Sequence, residues 1–379
     1  MNLDFRLSES EEILKTATLN FLKRDINKQT LEGLHDSDTG TNEAIWRKVV
    51  EMGWLGIITP EEFGGTGYPL TTAGILFEAL GSAPLPGPYF SSAILGSLII
   101  QEAGTADQKK SLLPALVEGT MVPTLILTDP WLGWNSEAAQ ISCQEKDGNY
   151  LLSGRKLLAY DALAATHLIV PVPLGKKRDS LSLFLVDKKM EGVSLRKLPG
   201  YLMGRAFEVC LEAVSCPSSG LLSKFKRGGA PLRKAVQKSI PILCSYLVGG
   251  CQAVFDLTVA YSRIRVQFSQ PIGRFQRVQD MIIDMINQVD AARWTTYEAL
   301  WKLDTQGTAP ESIHLAKAVA GEAYWQCCNL AHRAISGISY SMEHPLSLHT
   351  RTSRAWYNFL GEPAYHKQQL AGLLLMVSK

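Results

Sequence analysis

The chain has 379 residues, 46% of them hydrophobic and 20% charged, with a formal net charge of +2. That composition is globular rather than disordered, and the near-neutral balance excludes a general electrostatic case for nucleic acid or an anionic membrane surface. The length suffices for two or three domains with large cores.

The N-terminal MNLDFRLSESEEILK is polar and acidic, unlike a secretory signal. SESEEILKTATLNFLKR then opens on the capping-type Ser8 and Ser10 and repeats apolar residues at i, i+3 and i+4, which predicts a helix. WRKVVEMGWLGIITPEEFGGTG runs from a helix into a loop with Pro60 and several glycines, and TTAGILFEALG and TADQKKSLLPALVEG add helices with Gly stops. Near residue 122 the pattern changes. VPTLILTD, AAQISCQE, YLLSGRKLL, THLIVPVP, SLSLFLVDK and VCLEAVSCP are short, apolar and rich in β-formers, with turn residues between them. From about residue 228 the helical period returns in three long segments, with no internal repeat and no low-complexity stretch. The expected plan is mainly α with a central β domain: an N-terminal helical domain over 1–121, a middle β-barrel domain over 122–225, and a C-terminal four-helix bundle over 226–379.

No run approaches the roughly 18 apolar residues of a membrane span. The seven cysteines are odd in number and form no C-x-x-C pair, so neither a disulfide framework nor a metal site is expected, and a reducing cytoplasm fits. No G-x-G-x-x-G opens a βαβ unit, since GGTGYP at 64–69 does not fit one, and H-E-x-x-H and serine-hydrolase elbows are absent too.

Four stretches in order carry a resemblance that covers essentially the whole chain. GWLGIITPEEFGGTG (53–67) with FEALG (77–81), GTADQKKSLLPALVEG (104–119), LTDPWLG (127–133) and RVQFSQPIGRFQ (265–276) resemble segments of the acyl-CoA dehydrogenase family. The resemblance implies a FAD cofactor, an acyl-CoA thioester substrate, electron transfer to an electron-transfer flavoprotein, and assembly into a tetramer. It also implies that the turn at 265–276 reaches a neighbouring subunit's FAD. Arg265 then faces the pyrophosphate, Phe268 packs on apolar parts of the cofactor, and Gln267 and Gln276 serve ribose and phosphate. The chemistry agrees, because guanidinium presents a planar fork of donors to phosphate oxygens. The alternative is a helix-capping arginine and a core phenylalanine.

The chain also departs from the family pattern. Where the family has Thr-Glu-Pro, small residues and Gly-Ser-Asp, this chain reads Thr128-Asp129-Pro130-Trp131-Leu132-Gly133-Trp134-Asn135; Thr128 and Gly133 are kept, and the tryptophans either wall the pocket or close it. Leu158, Tyr160 and Asp161 stand where the family has a tryptophan and a Thr-Asn pair around the flavin, and the Tyr160 hydroxyl can still donate there. HRAISGISY keeps one glycine, Gly337, of a Gly-Gly turn, and places Arg333 where glutamine is usual; Arg333 either binds pyrophosphate or faces solvent. The basic run Lys224, Lys226, Arg227, Arg233, Lys234 and Lys238 either guides the CoA phosphates or is a solvated helix entrance.

The usual catalytic glutamate is missing. The family places it before a glycine near the C-terminus, where this chain has Leu360, or on the long bundle helix, where it has Ser239. Glu362 and Asp256 are the weak substitutes. Three functions stay open: a subunit whose related partner supplies the base in a hetero-oligomer, a complete homo-oligomeric acyl-CoA dehydrogenase with an unusual base, and an idle scaffold that binds FAD or CoA.

Overall fold

The computed structural model describes residues 6–127, 141–174, 180–200 and 205–377. The chain falls into two compact units, one of Met1–Glu32, Pro69–Leu85 and Ile240–Lys379, the other of Gly33–Tyr68 and Pro86–Ser239. The helices before the β region are α1 (Glu9–Asp25), α2 (Lys28–Asp36), α3 (Glu43–Glu51), α4 (Leu70–Ser82), α5 (Ser97–Ala103) and α6 (Ala106–Val117). A π-helical segment, Tyr89–Gly96, precedes α5. The strands are β1 (Pro123–Leu125), β2 (Ile141–Lys146), β3 (Asn149–Tyr160), β4 (His167–Pro173), β5 (Leu181–Asp187), β6 (Val193–Lys197), β7 (Ala206–Pro217) and β8 (Leu221–Leu222). Then come α7 (Gly229–Ile264), the hairpin strands β9 (Val266–Gln267) and β10 (Gln270–Pro271), α8 (Gln276–Gln306), α9 (Pro310–Ile335), α10 (Leu346–Asn358) and α11 (Pro363–Val377). The mainly helical plan with a central β region is the one expected from the sequence.

In the first unit α1 begins at Ser8, whose hydroxyl accepts from the Glu11 amide while the Glu11 carboxylate accepts from the Ser8 amide, a complete capping box. The N-terminus of α4 is capped from far along the chain: the Leu70 and Thr71 amides both donate to the Asp304 carboxylate of α8 at 2.9 Å. Helices α4 and α7 touch backbone to backbone. A Cβ on Gly249 would lie 1.9 Å from the Glu78 carbonyl oxygen and one on Gly81 2.0 Å from that of Tyr246, so glycine is required at both contacts. Helix α9 packs on α8, α10 and α11. Its buried stripe runs Ile313, Ala316, Ala320, Tyr324, Cys327, Cys328 and Ala331, with Lys317 on the same face.

The expectation about membrane-length runs needs one correction. Helix α7 holds an 18-residue window of mean hydropathy 1.5, long and apolar enough to span a membrane by those measures. Of that window 67% is buried inside the protein, so α7 is a core helix of the bundle.

The second unit carries two four-stranded sheets, ordered β1-β4-β5-β8 and β2-β3-β7-β6. All their pairings are antiparallel except β1 with β4. One core joins them: Leu168, Val170, Val172, Phe184 and Val186 from the first sheet meet Leu152, Val209, Leu211 and Val214 from the second. The sequence periodicity locates β1 to β5 and β7. It passes over β6, whose five residues Val-Ser-Leu-Arg-Lys are too few to establish an alternation, and over the π-helix, where every residue is buried, Ser91 and Ser92 included, so no helical period can be read. Strand β3 shifts register against β7 at Leu152/Gly154 and at Lys156/Ala159, and Leu158 takes a positive φ of 56° inside the second irregularity.

Candidate functional site

The residues singled out from the sequence fall in both units, and each unit is taken by itself. In the first, α7 ends and a two-residue hairpin follows, with Gln270 opposite Gln267 and Pro271 opposite Val266. The turn residues Phe268 and Ser269 both have positive φ, 49° and 64°. That turn type belongs to Asn and Gly; a phenylalanine held there stores on the order of 1–3 kcal/mol. Phe268 is 88% exposed and meets Phe275 edge-on at 6.1 Å. Arg265 and Gln267 are exposed, and among the described residues no ion pair or hydrogen bond engages the Arg265 guanidinium. The hairpin therefore presents an uncommitted fork of cationic donors beside an uncovered aromatic ring. That donor set fits a pyrophosphate flanked by flat, apolar rings, as in FAD. Gln276 is turned aside, its Nε2 donating to Asp280 at 3.0 Å.

Arg333 and Gly337 close α9, on a different segment from the hairpin. Both are exposed, and a Cβ on Gly337 would meet nothing. Ser336 between them holds φ 68° and ψ −150°, a conformation that is all but reserved for glycine.

The two positions where the resemblance expects a catalytic base are also described. Ser239 is wholly buried, and its hydroxyl donates to the Val236 carbonyl at 2.8 Å. Leu360 is 5% exposed and lies in the turn between α10 and α11 with a positive φ of 55°, followed by Gly361 at 114°. Left-handed geometry costs an L-residue roughly 1–2 kcal/mol, so the turn is held by its surroundings. The Gly361 carbonyl accepts from Lys317 Nζ at 2.8 Å, and the Leu360 carbonyl lies 3.0 Å from His366 Nε2. Burial pushes the Lys317 ammonium down to about 8, against a smaller upward pull from Cys244. Burial, then the Lys317 charge, push the His366 imidazole down to about 3. Of the substitute carboxylates, Asp256 is exposed on α7 and accepts from Gln252 Nε2 at 2.9 Å. Glu362 is half-buried at the start of α11 and close enough to help raise the Tyr357 phenol.

In the second unit Tyr160 is buried at the end of β3, where its carbonyl accepts from the Thr124 hydroxyl at 2.9 Å. Asp161 is 1% exposed, with φ 55°. Its carboxylate accepts from Arg205 Nε at 3.0 Å and from the Ser91 hydroxyl at 2.9 Å. Burial raises the Asp161 carboxyl, against the pull of Arg205 and Ser91. These partners give Asp161 a structural ion pair. Burial pushes Lys156, beside the β3 irregularity, down to about 8. In the basic run, Lys234 and Lys238 both pair with Glu102, at 2.8 and 2.6 Å. Burial alone would raise the Glu102 carboxyl; the two lysines outweigh it and hold it below the usual range. Thr128, Trp131, Gly133 and Trp134 lie outside the described residues.

Sequence reasoning missed Lys317, His314 and His366. For Lys317 a signal was present: it interrupts the apolar stripe of α9 at the i+4 position from Ile313. His366 had none, since α11 carries almost no amphipathic pattern.

Residues 8–120 match the acyl-CoA dehydrogenase N-terminal domain and residues 234–375 the acyl-CoA dehydrogenase C-terminal domain. The chain is 28% identical over 366 residues to the 3-(aryl)acrylate reductase of Clostridium sporogenes, covering 93% of this chain and 97% of that one. It is 28% identical over 381 residues to the glutaryl-CoA dehydrogenase of Desulfococcus multivorans, covering 97% of each. A solved glutaryl-coenzyme A dehydrogenase in complex with glutaryl-CoA superposes with a TM-score of 0.91 at 26% identity, over 99% of this chain and 97% of that one. Matched by both domain models and superposing over nearly its full length, the chain belongs to the acyl-CoA dehydrogenase family of FAD-dependent flavoprotein oxidoreductases.

Proposed function

We propose that this chain is a subunit that forms α,β-double bonds in an acyl-CoA thioester within a hetero-oligomer, and that a related partner chain supplies the catalytic base. One observation carries the reading: a leucine occupies position 360, where the sequence resemblance places the family's glutamate, in a turn of left-handed geometry. Bound FAD would accept hydride from the substrate β-carbon. The complementary proton must leave the α-carbon to a base within hydrogen-bond reach. Leu360 has no lone pair to offer, and the Ser239 hydroxyl is committed to a backbone carbonyl with no base beside it. Asp256 is engaged by Gln252, and Glu362 sits by Tyr357. What this chain does offer is the Arg265 and Phe268 arm, which in this reading binds a FAD held mainly by a neighbouring chain.

Two relatives support the assembly. A solved structure titled as a Tcur3481-Tcur3483 steroid ACAD variant, 25% identical and with a TM-score of 0.86, names two proteins. CarC of Acetobacterium woodii, 24% identical, is named as a subunit of a caffeyl-CoA reductase-Etf complex, in line with an electron-transfer flavoprotein as electron acceptor here.

The test is to purify this chain alone, saturate it with FAD and mix it with a panel of acyl-CoA thioesters. The expected result is flavin binding without rapid bleaching. Rapid bleaching that Glu362→Gln or Asp256→Asn abolishes would overturn the partner-dependent reading and name the base.

A further inference from the structure

The turn at 359–362 is gripped from two sides by side chains that no step of the reaction uses. From α9, the fully buried Lys317 donates from Nζ to the carbonyls of Gly361 at 2.8 Å, Tyr357 at 3.1 Å and Trp356 at 3.4 Å. Two of these oxygens belong to the last turn of α10, where a helix leaves carbonyls without amide partners and its dipole favours a cation. From α11, the wholly buried His366 brings Nε2 to 3.0 Å from the Leu360 carbonyl. A carbonyl only accepts, so Nε2 carries the proton and Nδ1 is left as an acceptor. His314 Nδ1 lies 2.8 Å from it and is therefore the donor. The hydrogen bonds fix both tautomers, and the rings form a one-way chain from His314 through His366 to the residue-360 carbonyl. Glycine at 361 makes this possible: a Cβ there would lie 2.3 Å from His366 Nε2.

We infer that Lys317 and His366 are positioning residues that together hold residue 360 in its left-handed turn and so fix where its side chain is presented. The two act on adjacent carbonyls from two different helices, so neither helix can shift without releasing one of them. That position 360 borders the substrate rests on the functional reading above; the grip on the turn does not.

The experiment has two arms. In the first, amide hydrogen exchange is followed in the full chain for a peptide spanning residues 356–366. Lys317→Met and His366→Leu should each speed its exchange by at least about tenfold, the factor set by losing one hydrogen bond to a charged or buried group, while exchange in the β strands stays unchanged. His366→Gln, which keeps a donor for the Leu360 carbonyl, should restore most of the protection. Unchanged exchange in both Lys317→Met and His366→Leu overturns the inference. Should Lys317→Met fail to fold, His366→Leu against His366→Gln decides alone. In the second arm, Leu360→Glu is made and loaded with FAD. If it bleaches with acyl-CoA, adding His366→Leu should lower kcat at least about tenfold with little change in KM, as expected when a near-attack geometry is loosened. An unaltered kcat overturns the inference. If Leu360→Glu binds FAD without bleaching while the exchange effects appear, the grip is upheld and the placing of substrate at position 360 fails.

Discussion

Replacing His366 by glutamine should change how the protein responds to acid more than how stable it is at neutral pH. The ring is wholly buried, and burial with the nearby Lys317 charge lowers its ionisation from the ordinary 6.5 to about 3. The groups facing it are Lys317 and His314 from α9 and Tyr365 beside it on α11, and no carboxylate stands among them. In the unfolded chain the ring takes up a proton near pH 6.5; in the folded chain it stays neutral until about pH 3. Between those values the unfolded state binds the extra proton. Stability is therefore full above pH 6.5 and is lost as pH falls towards the folded value. Linkage gives a loss of about 2 kcal/mol by about pH 5, growing by about 1.4 kcal/mol for each further pH unit. Glutamine keeps a donor for the Leu360 carbonyl and does not titrate. The assay is urea unfolding followed by tryptophan fluorescence at about pH 8 and about pH 5, Trp325 and Trp356 lying in the same unit. His167, His332 and His344 are also lowered by burial and contribute to both proteins alike, whereas His314, in direct contact with His366, is part of the effect under test. The wild type should lose more stability between the two conditions than His366→Gln, by about 2 kcal/mol. Equal losses would refute the reasoning, whatever the variant's stability at neutral pH.

Three further outcomes follow from the same contacts. Arg265→Ala should weaken FAD retention in the assembled oligomer by roughly tenfold or more, the worth of one charge-assisted contact at about 1.5–3 kcal/mol, and Arg265→Lys should recover only part of it, as measured by flavin content after dialysis. Arg205→Met strands the buried Asp161 carboxylate and should cost about 3–5 kcal/mol in urea unfolding, while the double change with Asp161→Asn should recover a large part of that. Asp304→Ala removes the acceptor for the Leu70 and Thr71 amides and the Thr71 hydroxyl, and should cost about 1–2 kcal/mol.

Much of the fold was legible because long segments keep one period. The stripe of α9 repeats over enough residues to outweigh local exceptions, and β4 and β5 are short, continuous buried apolar runs set off by turn residues. Strand β6, with only Val193 and Leu195 turned to the core, is too short to show a period, and the π-helix fails for want of an exposed face. The site was legible where it is local. Arg265, Gln267 and Phe268 sit in one short stretch, and the hairpin presents them together. What could not be read is the tertiary grip on residue 360. Lys317 and His366 lie 49 positions apart in sequence and meet only because α9 and α11 pack side by side. Asp161 shows the same limit from the other direction: its partners Ser91 and Arg205 are distant in sequence, and they alone distinguish a structural carboxylate from a cofactor ligand.

Which polar groups are satisfied within the chain separates the two halves of the candidate site. A group that serves a ligand must keep hydrogen-bonding capacity in reserve, whereas a structural group spends it inside the fold. Asp161 has spent its capacity on Arg205 and Ser91, and the Ser239 hydroxyl has given its proton to Val236. The Arg265 guanidinium stands exposed with no described partner, on a hairpin that holds a phenylalanine in a conformation suited to glycine. The cost of that hairpin is not recovered by any burial of Phe268 within the chain, since the ring is 88% exposed. A contact outside the chain is what would recover it, and a cofactor with phosphate oxygens and flat rings offers both kinds of contact at once. The base half has no comparable reserve at either expected position: at 360 a left-handed turn, clamped by a buried lysine and a buried histidine, presents an aliphatic side chain. A donor arm kept open and a leucine at position 360 are the two observations on which the proposed partner-dependent reading rests.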